Sequence, residues 1–335
     1  MGDVDHTATA DDASEKFLTL SDGRTLAYSD NGDRTSSTMV IFLHGLFGVG
    51  RADHVLGVFK EKKYHIVNPT LPGFGLSSPR DKTVPYAVAI TRTMTALIDH
   101  LHPNDPNLRI YVGGGSYGTV PAQILYGLPF DVFPYGRNIV GCLLGAPCSP
   151  FKYDKNYTQG MTWTNWISVG PPSQILPFNL IQRLAAKGVE FKVTSVEKAE
   201  GLLRKMLFDT ATEAEKAAFA AWKEREGIPD GQWERKMAEN MMKSFATTWD
   251  GFIETSDVLH SDWGFAPNLL DEEHTTRPLM IVASTKDPLG PHMATWMSEN
   301  YKNSTLKWLD GGHIAGAYAM NELYEELFEK VERVD

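Results

Sequence analysis

The sequence predicts an α/β fold: a doubly wound, mostly parallel sheet flanked by helices, with a helical cap inserted between the sixth and seventh strand candidates. Three observations carry this reading. Short continuous apolar runs recur along the chain, and such runs suit strands buried on both faces. Helix-compatible stretches separate most of them, and strand–helix alternation marks a doubly wound sheet. Between Pro150 and about Ala266 the alternation stops, because no buried-strand run occurs there.

The elements follow in order. Residues 1–15 are small, polar and acidic, and read as a mobile tail. Phe17–Leu20 and Thr25–Ser29 flank Ser21-Asp22-Gly23-Arg24, a hairpin pattern. The remaining strand candidates are Met39–Leu43, Tyr64–Val67, Arg109–Gly113, Ile139–Leu144, Leu279–Ala283 and Thr305–Leu309. Helical stretches are expected over Arg51–Lys62, Val84–His102, Tyr117–Leu128, His292–Asn300 and Asn321–Val334. Within the insertion, Thr194-x-x-Glu197 and Thr210-x-x-Glu213 match capping boxes. Leu202, Leu203, Met206 and Leu207 fall on one helical face, and Trp233, Met237, Met241 and Phe245 on another. The expected division is a core of residues 16–149 and 267–335 with a cap of 150–266.

Composition bounds the function. A chain of 335 residues with 42% hydrophobic and 22% charged residues buries a substantial core and is not disordered. Lys+Arg 32 against Asp+Glu 42 gives −10, which argues against nucleic acid or an anionic membrane as partner, since both demand a basic face. Two cysteines, Cys142 and Cys148, form no disulfide framework and point to a reducing compartment. The N-terminus lacks the apolar segment of a signal peptide, and no run approaches the roughly 20 apolar residues of a membrane span. A cytoplasmic, soluble protein acting on a small molecule is expected.

The chemistry centres on Gly114-Gly115-Ser116-Tyr117-Gly118, a G-x-S-x-G pattern between an apolar strand and a helix-compatible run. A serine hydroxyl becomes a useful nucleophile only when exposed beside a base. A sharp strand-to-helix turn exposes it and needs small flanking residues, here Gly114 and Gly118. The second signal is His44-Gly45-Leu46-Phe47-Gly48, directly after the strand Met39–Leu43. A glycine-bearing turn there lets a backbone N–H approach a developing oxyanion, so the two donors are assigned to the N–H groups of Leu46 and Tyr117. The His44 side chain is read as a loop anchor rather than as the general base.

HGLFG at 44–48, LPGFGLS at 71–77, GGGSYG at 113–118, STKDPLGP at 284–291 and DGGHIAG at 310–316 together resemble the α/β-hydrolase superfamily, in the cap-bearing branch of esterases, lactonases and epoxide hydrolases. The resemblance runs from about residue 16 to 334, with the cap matching only in position and helical character. It implies a Ser-Asp-His triad in the order nucleophile, acid, histidine, carried by Ser116, Asp287 and His313. Asp310 is a rival acid, too near His313 in sequence to reach its ring easily. Thr70 stands where relatives carry Asp, which alters loop anchoring. Ser116 itself argues against epoxide hydrolase and dehalogenase chemistry, which needs a carboxylate nucleophile.

The resemblance implies hydrolysis of a carboxylic ester or lactone of a moderately sized apolar substrate through an acyl-enzyme, with no metal and no cofactor. Pocket walls are expected from Phe47, Tyr117, Trp163, Trp166, Phe178, Trp249 and Trp263, with the cap setting substrate choice and the core the reaction type. The alternatives are an aminopeptidase similar to prolyl iminopeptidases, with cap carboxylates such as Glu197 or Glu200 binding the amine, a C–C hydrolase, and a small-molecule receptor retaining a slow triad.

Overall fold

The computed structural model describes residues 15–209 and 211–333. The expected tail therefore lies outside the described residues, except Glu15, which opens the first strand. Eight strands form one sheet: β1 Glu15–Thr19, β2 Thr25–Gly32, β3 Thr38–Leu43, β4 His65–Pro69, β5 Arg109–Gly115, β6 Ile139–Gly145, β7 Leu279–Ser284 and β8 Ser304–Leu309. Their order is β1-β2-β4-β3-β5-β6-β7-β8, antiparallel through β1, β2 and β4 and parallel from β4 to β8. All eight strand candidates are strands.

Side-chain alternation explains the layers. Met39, Ile41, Leu43, Ile110, Val112, Cys142, Leu144, Leu279 and Ile281 face one core. Their neighbours Val40, Tyr111, Leu143, Met280 and Val282 face a second. The helices α1 Gly57–Lys62, α2 Tyr86–Leu101 and α3 Thr119–Gly127 lie between strands β3 and β6 in sequence. Helix α1 starts six residues later than expected: Leu56 is extended, and the preceding loop is tied by Asp53, which binds Arg51 and Lys236.

Between β6 and β7 the described residues hold only helices: α4 Trp163–Val169, α5 Pro171–Ile175, α6 Leu180–Glu190, α7 Val196–Leu203, α8 Glu213–Arg225, α9 Gln232–Ser244, α10 Asp250–Ile253, α11 Thr255–His260 and α12 Glu272–Thr275, with shorter turns between them. Helices α13 His292–Asn300 and α14 Met320–Glu332 complete the chain. Among the described residues no helix is long and apolar enough to cross a membrane.

Both expected capping boxes need correction. Ser195, not Thr194, caps α7 by accepting from the Lys198 N–H. At α8 the box is Thr212 with Glu215; Thr210 lies outside the described residues. Met206 also leaves its expected face and is exposed. It sits in a π-helical stretch, Arg204–Phe208, whose wider turn shifts the side-chain register. Trp233 and Met237 are half-buried, while Met241 and Phe245 are buried, as the period requires.

Entry to β7 depends on one buried cation. Arg277 donates to the carbonyls of His274, Gly136 and Tyr126 at 3.1, 2.8 and 2.8 Å and lies 4.4 Å over the Tyr126 ring. Replacing Arg277 with Met removes all three donors. The His274 carbonyl keeps the Tyr126 hydroxyl and the Gly136 carbonyl keeps the Ile139 N–H, while the Tyr126 carbonyl loses the Arg277 donor. Arg277→Met is expected to lower stability by about 1–3 kcal/mol, read as a reduced urea midpoint with an unchanged slope.

Candidate active site

Strand β5 ends in three glycines and turns sharply into α3 through a short 3-10 turn, Ser116–Gly118. At the apex Ser116 has φ +53°, the left-handed region that a non-glycine residue rarely occupies. The turn closes only because its flanks lack side chains. A Cβ on Gly114 would lie 2.3 Å from the Gly118 carbonyl oxygen, and one on Gly118 would lie 2.0 Å from that of Leu43. The Ser116 side chain is thereby lifted off the sheet, half-buried, at the carboxyl edge of β5.

Two further strand ends converge on it. Asp287 follows β7 and His313 follows β8. His313 Nε2 lies 2.8 Å from Ser116 Oγ, and His313 Nδ1 lies 2.9 and 3.0 Å from the two Asp287 carboxylate oxygens. With the Nδ1–H donated to Asp287, the Nε2 lone pair faces the serine hydroxyl. Asp287 Oδ1 also accepts from the Leu289 N–H at 2.9 Å, which fixes the carboxylate plane. The rival Asp310 is exposed and accepts from Thr285 Oγ1 at 3.0 Å, with Lys286 Nζ at 3.3 Å. Cys148 is buried, and burial pushes its thiol up to about 12, so it is an inert neighbour.

The loop 44–48 lies against the serine: a Cβ on Gly45 would come within 3.4 Å of Ser116 Cβ. His44 anchors this loop. Its Nδ1 pairs with the Gly45 carbonyl at 2.8 Å, and its Nε2 accepts the Leu71 N–H at 2.9 Å. The neutral ring with its proton on Nδ1 satisfies both contacts. Thr70 anchors the next loop, its hydroxyl accepting the Gly50 N–H at 3.0 Å.

Three contacts from the inserted helices had no signal in the sequence. Glu215, at the start of α8, accepts the Gly312 N–H beside His313 with one oxygen, while its other oxygen completes the capping box. Asn240 on α9 accepts the Val49 N–H at 3.2 Å. The Pro288 carbonyl, next to Asp287, accepts from the Thr162 N–H at 3.0 Å and from the Asn165 side chain at 2.9 Å. The loops bearing the histidine, the acid and the HGLFG turn are each held by the insertion.

The expected pocket residues separate into groups. Phe47 packs on Phe245 and Phe252, and Trp249 stacks on Phe245 at 3.9 Å, so Phe47 and Trp249 share one aromatic cluster. Tyr117 and Trp263 are buried, with the Trp263 indole N–H donated to the Val258 carbonyl. Trp163 and Trp166 stack on each other at 4.8 Å. Trp163 and Phe178 are 71% and 87% exposed and wall no enclosed pocket. A groove of about 480 Å³ lies elsewhere, between α8 and residues 309–319, lined by Glu215, Trp222, Arg225 and Tyr318 and not by Ser116.

His44 makes stability depend on pH. Burial lowers its pKa from 6.5 to about 4, so the unfolded chain takes up a proton that the folded chain refuses. The contribution is present above about pH 6.5 and is lost as pH falls through about 4, to a total of about 3 kcal/mol. Urea unfolding of the wild type should weaken between pH 7 and pH 4.5 by more than that of His44→Gln, which has no such group to titrate.

A model of the alpha/beta hydrolase family matches residues 40–327. No curated protein matches the chain in sequence. Similar solved structures include a hydrolase from Pseudomonas aeruginosa PA01, 14% identical over 96% of this chain and 97% of that one, with a TM-score of 0.56. An esterase from Rhodococcus sp. ECU1013 is 12% identical over 96% and 100%, with a TM-score of 0.58. An esterase from Exiguobacterium antarcticum is 15% identical over 95% and 99%, with a TM-score of 0.51. At these identities the likeness speaks to the fold, whereas the family match spans most of the sequence. The chain, with Ser116, Asp287 and His313 after strands β5, β7 and β8, belongs to the alpha/beta hydrolase family.

Proposed function

We propose that the protein is a serine hydrolase that cleaves a carboxylic ester or lactone of a moderately sized apolar substrate through an acyl-enzyme. The observation that carries this is the unbroken hydrogen-bond chain from Ser116 through His313 to Asp287. In this reading His313 Nε2 takes the Ser116 proton as Oγ attacks the carbonyl carbon. The carbonyl oxygen becomes an oxyanion, met by the N–H groups of Leu46 and Tyr117 at a helix start. Collapse expels the alkoxide with the proton from His313, and water then repeats the sequence to free the acid. No metal or cofactor enters the scheme. The domain division of 16–149 with 267–335 as core and 150–266 as cap belongs to the same proposal. Phe47 and Trp249, joined in one cluster, are its favoured pocket walls, with Trp163 and Trp166 outside it.

The aminopeptidase alternative lacks its amine site among the carboxylates named for it. Glu200 pairs with Arg204 at 2.8 Å, and Glu197 lies 3.6 Å from Arg235. Each carboxylate already faces a cation, which weighs against an amine site there.

Ser116→Ala should cut turnover of activated esters by roughly 10³-fold or more and abolish labelling by a fluorophosphonate, with the unfolding midpoint retained. Wild-type turnover in that variant would remove the nucleophile assignment. EDTA should leave activity unchanged; a loss restored by added metal would contradict the scheme.

Glu215 acts in this proposal as a positioning residue, holding the His313 loop through Gly312. Glu215→Ala should lower kcat by roughly tenfold to a hundredfold, the size of effect that small misplacements produce, with KM little changed. Glu215→Gln keeps an oxygen that can accept from Gly312 and should recover most of the loss. A rise in KM alone, or no rescue by Gln, would assign Glu215 to substrate binding or to cap folding instead.

A further inference from the structure

Thirteen large apolar side chains are exposed among the described residues, and seven of them lie between Trp163 and Phe191. The clustering has a geometric basis. Helix α6 turns the small or polar residues Gln182 and Ala186 inward, keeps Ile181 and Val189 half-buried, and presents Leu180 and Leu184 to solvent. Leu180, Leu184 and Phe191 fall within roughly 40° of one another at 100° per residue, and are 44%, 64% and 79% exposed. Ile175, at the end of α5, extends the stripe at 76%. The α5–α6 turn projects Phe178 as well, and it does so with Phe178 at φ +60° and Asn179 at φ +53°. Ordinary folding places apolar helix stripes inward, so a stripe this large facing out marks an interaction surface.

Charge indicates the occupant. Residues 163–192 contain Arg183, Lys187 and Lys192 against Glu190 alone, 3 − 1 = +2, within a chain of −10. Lys187 lies on the apolar stripe itself with its side chain 72% exposed, in a surface ion pair with Glu190 at 2.7 Å. Met1–Ser14 offers no apolar residues larger than alanine other than Met1 and Val4. A symmetric contact with a second copy would bring two segments of net charge +2 together. An anionic lipid surface takes the apolar side chains into its acyl boundary and pairs its headgroups with Arg183 and Lys192, and with Lys187 in exchange for the exposed Glu190.

We propose that α4–α6 form a lipid-docking face that seats the protein on an anionic bilayer surface, without spanning it. The inference goes beyond the hydrolytic reading and does not depend on it. It also revises the expectation drawn from net charge, because the chain-wide sum conceals a locally basic, apolar segment.

The test is co-sedimentation of the full chain with vesicles of phosphatidylcholine mixed with phosphatidylglycerol, against vesicles of phosphatidylcholine alone. The wild type should pellet with the mixed vesicles, more weakly with the neutral ones, and less at high salt. The triple variant Ile175→Ser, Leu184→Ser, Phe191→Ser should lose roughly tenfold or more in partitioning while keeping its thermal unfolding midpoint. If that variant does not fold, Arg183→Glu with Lys187→Glu should remove the preference for anionic vesicles. Absence of pelleting overturns the proposal, as does binding that neither variant alters. A wild-type dimer in sedimentation equilibrium that the triple variant dissociates, with no vesicle binding, assigns the face to self-association instead.

Discussion

The site rests on the backbone turn at Ser116, where a parallel strand meets a helix with almost no residues between. That turn forces a left-handed residue and brings the α3 start against the β3 end, so close that Gly118 would drive a Cβ into the Leu43 carbonyl. Several features follow from this single constraint. Glycine is required on both flanks. The loop after β3 must pass beside the serine, which is why Gly45 sits where its own Cβ would touch Ser116. The strained residue is held because its surroundings are over-determined: β5 is a central strand, paired with β3 on one side and, past a register shift after Ile110, with β6 from Tyr111 to Gly115 on the other. A weaker frame would let the turn relax and lower the hydroxyl back toward the sheet.

The neighbouring loops have no comparable frame, and they are held from the other side. Glu215, Asn240 and the Thr162–Pro288 contact tie the histidine, HGLFG and acid loops to the inserted helices. The 71–77 loop is bound in the same way, through the Gly75 N–H to the Ser244 carbonyl and the Gly251 N–H to the Gly73 carbonyl. A clean division of labour, with chemistry in the sheet and selectivity in the insertion, is therefore too simple. The sheet supplies the serine rigidly, whereas the geometry of its partners is set jointly. A shift of the inserted helices would reach His313 through one carboxylate before reaching any substrate contact.

Legibility in the sequence follows interaction range. The inner strands were readable because a strand buried on both faces must be apolar along its whole length, as in Met39–Leu43 and Leu279–Ala283, whereas the less buried β1 and β2 were readable from the hairpin pattern around Ser21–Arg24. Ser116 was readable because its turn demands glycines within two residues. His313 and Asp287 were readable by their place after apolar strands and by family resemblance. Glu215 was not. Its partner Gly312 lies 97 residues away, and the local pattern pointed to Glu213, two positions off. Asn240 reaches across 191 residues to Val49 and resembles any other polar helix residue. Trp163, expected as a pocket wall, stands 71% exposed: apolar content in a helix says that a face seeks cover, not which cover it finds.

The same distinction governs α6. Its pattern is amphipathic whichever face packs inward, and composition alone would assign Leu180, Leu184 and Phe191 to a core. The fold instead places Gln182 and Ala186 against its neighbours, where small side chains permit close helix packing, and leaves the large ones outside. Lys187 on the exposed stripe fits an environment that is apolar at one depth and polar a few ångströms above it, because a lysine stem can lie along apolar surface while its ammonium reaches water or a headgroup. A protein core offers no such gradient, and bulk water offers no cover at all. A bilayer boundary offers both. Charge that is unfavourable when summed over 335 residues is then no obstacle, since beyond a Debye length of about 8 Å the distant carboxylates are largely screened, and the surface that approaches is the one carrying Arg183, Lys187 and Lys192.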